Sequence, residues 1–209
     1  MANVINATST GNGGLITTGD DSGILNIQTN ETIALSIDAS QNITTTNKFA
    51  KASMPLGSVL QVVSTTLTTG FSASVNNSFS AVTGLTAIIT PSSSSSKIMV
   101  LVTMTVGSDT NYLNAQLTKG GTAISGAIAT TAGNRSLGTS AAWPVQTYGT
   151  YAMAFNYLDS PATTSSTTYG VQIGNNSSAT VCVNQSQSDD NVAGRTRGTS
   201  TITVMEIAA

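Results

Sequence analysis

Apolar and polar residues alternate over short stretches of this chain, and this alternation predicts strands rather than helices. Gly, Asn, Ser and Pro, the residues that favour turns, separate the stretches. Within the stretches Thr, Ser, Val and Ile dominate, and their branched or hydroxyl-bearing side chains suit extended backbone. No segment has the 3.6-residue spacing of an amphipathic helix. The pattern predicts strands at 58–66, 85–90, 97–106, 112–118, 150–158, 168–173, 179–184 and 200–207.

The most apolar of these segments, 97–106, carries large apolar residues on both of its faces. Met99 and Leu101 lie on one face, and the other face takes Ile98, Val100, Val102 and Met104. We therefore expect a central strand that is covered on both sides. About eight strands of this length predict an all-β fold, a jelly-roll-like sandwich of two antiparallel sheets.

The first 50 residues differ from the rest and predict a short N-terminal β arm. Two strands are expected there, one at 24–27 and one at 33–37. Two strands bury too little apolar surface to be stable alone, so the arm needs a partner. We assign residues 1–50 to attachment or oligomerisation and residues 56–209 to a β-sandwich knob. The candidate attachment residues are Val4, Ile5, Leu15, Ile16, Ile24 and Ile27.

Composition makes self-association an expectation. Only 8% of the residues are charged and the net charge is −2, against roughly 25% charged residues in ordinary globular proteins. The 39% of hydrophobic residues is not typical of a disordered chain. So few charges with that much apolar content require thorough burial, which association between copies supplies. We expect a homo-oligomer.

Several partner classes are not expected. The seven Lys and Arg residues are scattered, so the sequence predicts no nucleic-acid partner. No apolar run approaches the ~20 residues of a membrane helix, so no membrane insertion is expected. The N-terminal residues lack the pattern of a signal peptide, which predicts synthesis in the cytoplasm.

Residues for catalysis are scarce. The chain has no histidine, which excludes Ser-His-Asp and Cys-His catalysis and histidine-ligated metals. The single cysteine, Cys182, stands among valines and is expected in the core. None of the nine carboxylates is paired by its position in the sequence, so we expect no enzyme and no cofactor. The pairs Asp20-Asp21 and Asp189-Asp190 suit either solvated turns or Ca²⁺ ligation.

Two small groups of residues are candidates for contacts with partners. Trp143, Tyr148 and Tyr151 lie close together in a loop-like context and are candidates for receptor contact, with a core-capping Trp143 as the alternative. Arg135, Asp159 and Arg197 are candidates for ion pairs between subunits, with exposed loop charges as the alternative.

A likeness to known proteins lies in six segments: LQVVSTT at 60–66, 84–93, SKIMVLV at 96–102, 158–164, the end at 200–209, and the preceding segment 19–30. Together they are spread over most of the chain, from residue 19 to residue 209. They resemble a domain of virion structural proteins from marine and cyanobacterial phages. The resemblance implies a homotrimeric β-sandwich knob, of the kind found in tail-fibre tips and in small capsid decoration proteins.

The chain is short and has no evident shaft or tail-docking domain, which favours a decoration protein. We expect a cement or head-fibre protein that binds the major capsid protein through its arm. It would be made in the bacterial cytoplasm and displayed on the virion surface. The alternative is a tail-fibre tip, a receptor-binding adhesin that joins a tail component and recognises a host surface glycan. A carbohydrate-binding module of a cellular enzyme is the third hypothesis.

Overall fold

The computed structural model of the protein describes residues 23–29, 32–45, 54–109, 112–131, 133–144 and 146–209. The chain divides into two units, Met1–Ala50 and Lys51–Ala209. Ser125–Ala127 forms a short 3₁₀ turn, and no described helix is long and apolar enough to span a membrane. The strands are β1 Leu25–Thr29, β2 Thr32–Ile37, β3 Ile43–Thr45, β4 Val59–Leu67, β5 Phe71–Ile89, β6 Lys97–Ser108, β7 Leu113–Lys119, β8 Thr122–Ala123, β9 Ser140–Ala142, β10 Tyr151–Asp159, β11 Thr167–Val183 and β12 Ser200–Ile207.

The first unit contains an antiparallel three-stranded sheet in the order β1-β2-β3. Its β2–β3 turn is held by the Asp38 carboxylate, which accepts hydrogen bonds from the backbone N–H groups of Ser40 and Asn42, both at 2.9 Å. Hydrogen bonds from Asn42 and Ser40 also hold the pKa of Asp38 below its usual value. The third strand was not predicted, because three residues are too few to show an alternating pattern.

The second unit has nine hydrogen-bonded strands in two layers. One layer has the order β4-β12-β6-β10 and the other β5-β11-β7-β9, with β8 beside the end of β7. The layers join where Val181–Val183 of β11 pair with the last residues of β6. Strands that follow one another mostly alternate between the layers, which is the connectivity of a jelly roll. The predicted all-β, jelly-roll-like sandwich is confirmed.

The core lies between the layers and follows the two-residue period of the strands. In β12, Ile202 and Val204 are buried, and the residues that alternate with them, Thr201, Thr203 and Met205, are partly exposed. Both layers contribute to a single apolar cluster. Cys182 is fully buried, as predicted. The largest apolar side chains of the core are Leu85, Ile89, Ile98, Leu113, Leu117, Tyr169, Ile173 and Ile202.

Strand β6 is central, as expected. It lies between β12 and β10 and is therefore internal to its sheet. Its inward residues are buried. Its outward residue Leu101 is 38% exposed, so the described residues cover one face of this strand and leave the second face open in the single chain.

Candidate functional site

An aromatic pair, one exposed ring and one partly buried ring, lies at one end of the β7–β9 ladder. Leu113 of β7 pairs with Ala142 of β9. Tyr112, just before β7, and Trp143, just after β9, therefore come next to each other. Their ring centroids are 5.8 Å apart and the planes are tilted by 46°. Trp143 is 62% exposed, so the alternative in which it caps the core is wrong.

Strand β11 holds Tyr112 in place. The Tyr112 hydroxyl lies 3.2 Å from Ser177 Oγ. Asn175 is buried, and its Nδ2 donates a hydrogen bond to the Tyr112 carbonyl. The Asn175 Oδ1 accepts hydrogen bonds from the N–H and hydroxyl of Ser177. A β-bulge between Asn175 and Ser178 brings these groups to the ring. The arrangement presents an apolar ring face beside hydroxyl groups, which is suited to stacking on a sugar.

The other two predicted receptor residues have different surroundings. The Arg195 guanidinium lies over the Tyr148 ring, with its Cζ 3.9 Å from the ring centroid. Tyr151 is in β10, opposite Val106, and packs against the core. The partner that the structure gives to Trp143 is Tyr112, which the sequence analysis missed. The register of β7 against β9 brings Tyr112 beside Trp143, and this register cannot be read from the sequence.

The charged residues predicted at an interface mostly have partners within the chain. Asp159 is buried and accepts hydrogen bonds from Lys119 Nζ at 2.8 Å and from the Tyr169 hydroxyl at 2.7 Å. Burial and the hydrogen bond to Asp159 raise the pKa of Tyr169 far above its usual value. Arg197 forms an ion pair with Asp189. Arg135 is exposed in the loop between β8 and β9.

The predicted calcium ligands are partly engaged by arginines. Asp189 contacts Arg197, and Asp190 lies 3.8 Å from Arg195. No group of three residues suited to a metal ion occurs among the described residues. Asp20 and Asp21 lie outside the described residues.

The described arm residues are exposed. Five large apolar side chains of the first unit are between 38% and 64% exposed: Ile24, Leu25, Ile27, Ile33 and Ile43. Ile24 and Ile27 were predicted for attachment. The other four predicted attachment residues, Val4, Ile5, Leu15 and Ile16, lie outside the described residues.

The carboxylate of Glu206 in β12 is fully buried, and both of its oxygens accept hydrogen bonds. Its Oε1 accepts hydrogen bonds from the Ser92 N–H at 2.6 Å, the Ser92 hydroxyl at 2.5 Å and the Ser96 hydroxyl at 2.8 Å. Its Oε2 accepts one from Gln61 Nε2 at 2.6 Å. Burial raises the pKa, but the hydrogen bonds, those from Ser92 foremost, outweigh it and lower the pKa of Glu206 to about 2. Glu206 therefore carries a fixed negative charge that is held by neutral donors, an arrangement that suits a structural role.

Cys182 is the only thiol in the sequence. Burial, with a smaller contribution from the charges of Asp109 and Asp189, raises its pKa to about 11. A buried thiol that stays protonated is a poor nucleophile and a poor metal ligand.

No protein-family model matches the chain, and no curated protein matches it. Among solved structures, a chain of the infectious bursal disease virus Gx strain matches with 13% identity and a TM-score of 0.32. The match covers 88% of this chain and 47% of that chain, so this protein spans about half of its length. A TM-score of 0.32 is too low to transfer a fold, an activity or a partner from one chain to the other.

Proposed function

We propose that the protein is a bacteriophage virion structural protein, specifically a capsid decoration protein of the cement or head-fibre kind. Its N-terminal unit binds the major capsid protein on the shell exterior, and its jelly-roll knob is displayed on the virion surface. The observation that carries the proposal is the small three-stranded sheet with its five exposed apolar side chains. The resemblance of six segments to phage virion proteins supports it.

Docking of this sheet on the capsid contributes a favourable free energy of binding. Full burial of one Ile or Leu side chain contributes about 1.5–3 kcal/mol. Leu25, Ile27, Ile33 and Ile43 share one face of the sheet by their register. Because these four side chains are already partly buried, docking of that face contributes about half of that for each, or roughly 4 kcal/mol per copy before the cost of association. Linked copies that dock together gain further through their high effective concentration. Several weak arms can therefore hold an oligomer on the shell.

The test is the copy number of the full-length protein in purified particles, relative to the major capsid protein. The wild type is expected at the same order as the capsid protein. The double variant Ile27→Ser/Ile43→Ser is expected to be strongly depleted, because it removes apolar surface from the docking sheet. The matched control is Ile88→Ser, which changes an isoleucine of β5 in the knob that is 57% exposed.

Two results contradict the proposal. A wild-type copy number far below that of the capsid protein indicates a tail or vertex appendage. Full occupancy by the double variant shows that the N-terminal unit is not the docking element.

The second candidate is a tail-fibre tip that recognises a host surface glycan, and the exposed Trp143 stacked beside Tyr112 favours it. On a glycan array, Trp143→Ala is expected to abolish binding by the full-length protein. Ile88→Ala is the control, because it removes an exposed apolar side chain of β5 that is not a candidate for receptor contact. Binding that survives Trp143→Ala, or a silent array with the intact protein, refutes this function.

A further inference from the structure

The outward face of the sheet β4-β12-β6-β10 carries an apolar row that crosses all four strands. Val62 pairs with Met205, Met205 pairs with Met99, and Met99 pairs with Leu158. Residues that are directly paired on neighbouring strands point to the same side of a sheet. Leu101, two residues beyond Met99, lies on that side as well.

The ends of this row are exposed, its central methionines are partly exposed, and its neighbours carry a single charge. Val62 is 55% exposed, and Leu101 and Leu158 are also exposed. Lys97, at the start of β6, is the only charged residue beside the row on these strands. The other outward residues are neutral: Ser64, Thr66, Thr103, Thr105, Ala152, Ala154, Asn156, Thr201, Thr203 and Ile207.

Strand β7 of the opposite sheet shows what a covered outer side looks like in this protein. Its outward side chains are polar and buried. Gln116 donates a hydrogen bond to the Leu137 carbonyl and accepts one from Gln172. The chain itself therefore satisfies and covers the outer side of β7. The outer face of β4-β12-β6-β10 has apolar side chains and no such cover among the described residues of the knob.

We propose that this outer face is the contact surface between copies of the chain. Where copies pack around a symmetry axis, identical residues come close together, so a charge near the axis would meet its own kind. A face whose only charge is Lys97, at the start of β6, limits that repulsion, whereas a basic or acidic partner would be matched by opposite charges. Methionine side chains, which adapt their shape readily, lie at its centre in Met99 and Met205.

The size of the face suits such a contact. Four strands spaced about 4.8 Å apart, and about eight residues long at 3.3 Å each, cover roughly 500 Å² in projection. Side-chain relief increases the accessible area above this value. It is then of the same order as the roughly 800 Å² that each partner buries in a standard interface.

This inference deepens the proposed function, since it names the surface that joins the copies displayed on the shell. It names the surface through which the expected homotrimer would assemble. The test uses the free full-length protein, so it is independent of attachment to particles.

The oligomeric state is measured by native mass spectrometry and sedimentation velocity over a range of concentrations. The wild type is expected to be oligomeric. Leu101→Lys places like charges against one another and is expected to raise the dissociation constant about 100-fold, with a larger effect at low salt. The control Ile88→Lys, on the opposite sheet, is expected to keep the wild-type oligomer.

A second variant, the triple Val62→Thr/Leu101→Thr/Leu158→Thr, is expected to keep the fold. Threonine favours strands, and the three substitutions only remove apolar surface. It is expected to dissociate as well, with an unchanged circular dichroism spectrum. A monomeric wild type, or an oligomer that persists in the folded triple variant, overturns the inference. Dissociation caused by Ile27→Ser/Ile43→Ser while the triple variant stays oligomeric also overturns it, because the arm would then be the interface.

Discussion

Replacing Glu206 by Gln removes a buried negative charge from a site that is built to hold it. Glu206 accepts four hydrogen bonds, two of them from Ser92 and one each from Ser96 and Gln61. The variant keeps the shape of the side chain but weakens every bond that the charge strengthens. It also turns an amide N–H₂ toward groups that are themselves donors. We expect a folded but less stable protein with a different response to acid.

The magnitude follows from the pKa of this carboxyl. Its ordinary value is 4.5 and its value in the folded protein is about 2. This difference corresponds to about 3 kcal/mol of stability. The contribution is fully present above pH 4.5, where both states are ionised. It is lost as the pH falls toward 2, because the unfolded chain binds a proton before the folded protein does.

The assay is urea denaturation of the wild type and Glu206→Gln between about pH 5 and pH 2. At pH 5 the variant is expected to be about 2–3 kcal/mol less stable. The wild type is expected to lose about 3 kcal/mol more than the variant across this range, so that their curves converge. Ser96→Ala removes one of the four bonds and is expected to lie between them. Parallel pH curves for the wild type and Glu206→Gln would refute the assignment of a depressed pKa.

Three further predictions concern buried groups. Tyr169→Phe deletes the hydroxyl that donates to Asp159 and is expected to cost about 1.5–3 kcal/mol in urea denaturation; an unchanged midpoint would contradict this. Native Cys182 is expected to resist a thiol reagent at about pH 8 until the protein is unfolded, and rapid labelling of the folded protein would contradict its burial. A Cβ at Gly174 would lie 2.3 Å from the Ser78 carbonyl oxygen, so Gly174→Ala is expected to cost about 1–3 kcal/mol; a melting temperature equal to that of the wild type would show that the β5–β11 pair yields easily.

The strands with regular alternation were predicted well. The segments 58–66, 97–106 and 200–207 correspond to β4, β6 and β12 within two residues at either end. These strands bury one face against the core, and burial of one face is what produces alternation in the sequence.

The long ribbon of β5 and β11 was only partly predicted. The sequence predicted 85–90, whereas β5 begins at Phe71. Its first half is rich in Ser and Asn and buries little, so cross-strand pairing with β11 holds it rather than its own pattern. The two predicted segments of β11 are a single strand, because the bulge between Asn175 and Ser178 shifts the register without ending the strand.

The side-chain clusters were beyond the reach of the sequence. Glu206 meets Ser92 and Ser96 across more than 100 residues, and Trp143 meets Tyr112 through strand register. Residue type alone gave a correct interior place for Cys182. It did not reveal what covers Leu101, because the size of an apolar side chain does not show whether the same chain or another one covers it.

The position of β12 has a consequence for biosynthesis. The last strand of the jelly roll lies between β4 and β6 and hydrogen-bonds to both. A ribosome must therefore complete and release residues 200–207 before β4 can join its sheet. Until then the backbone N–H and C=O groups of β4 and β6 that pair with β12 have no partner, and these strand edges are open to capture by chaperones or to aggregation. Termination anywhere before β12 removes the middle strand of a sheet rather than an edge strand. A chain that lacks only β12 is therefore expected not to fold.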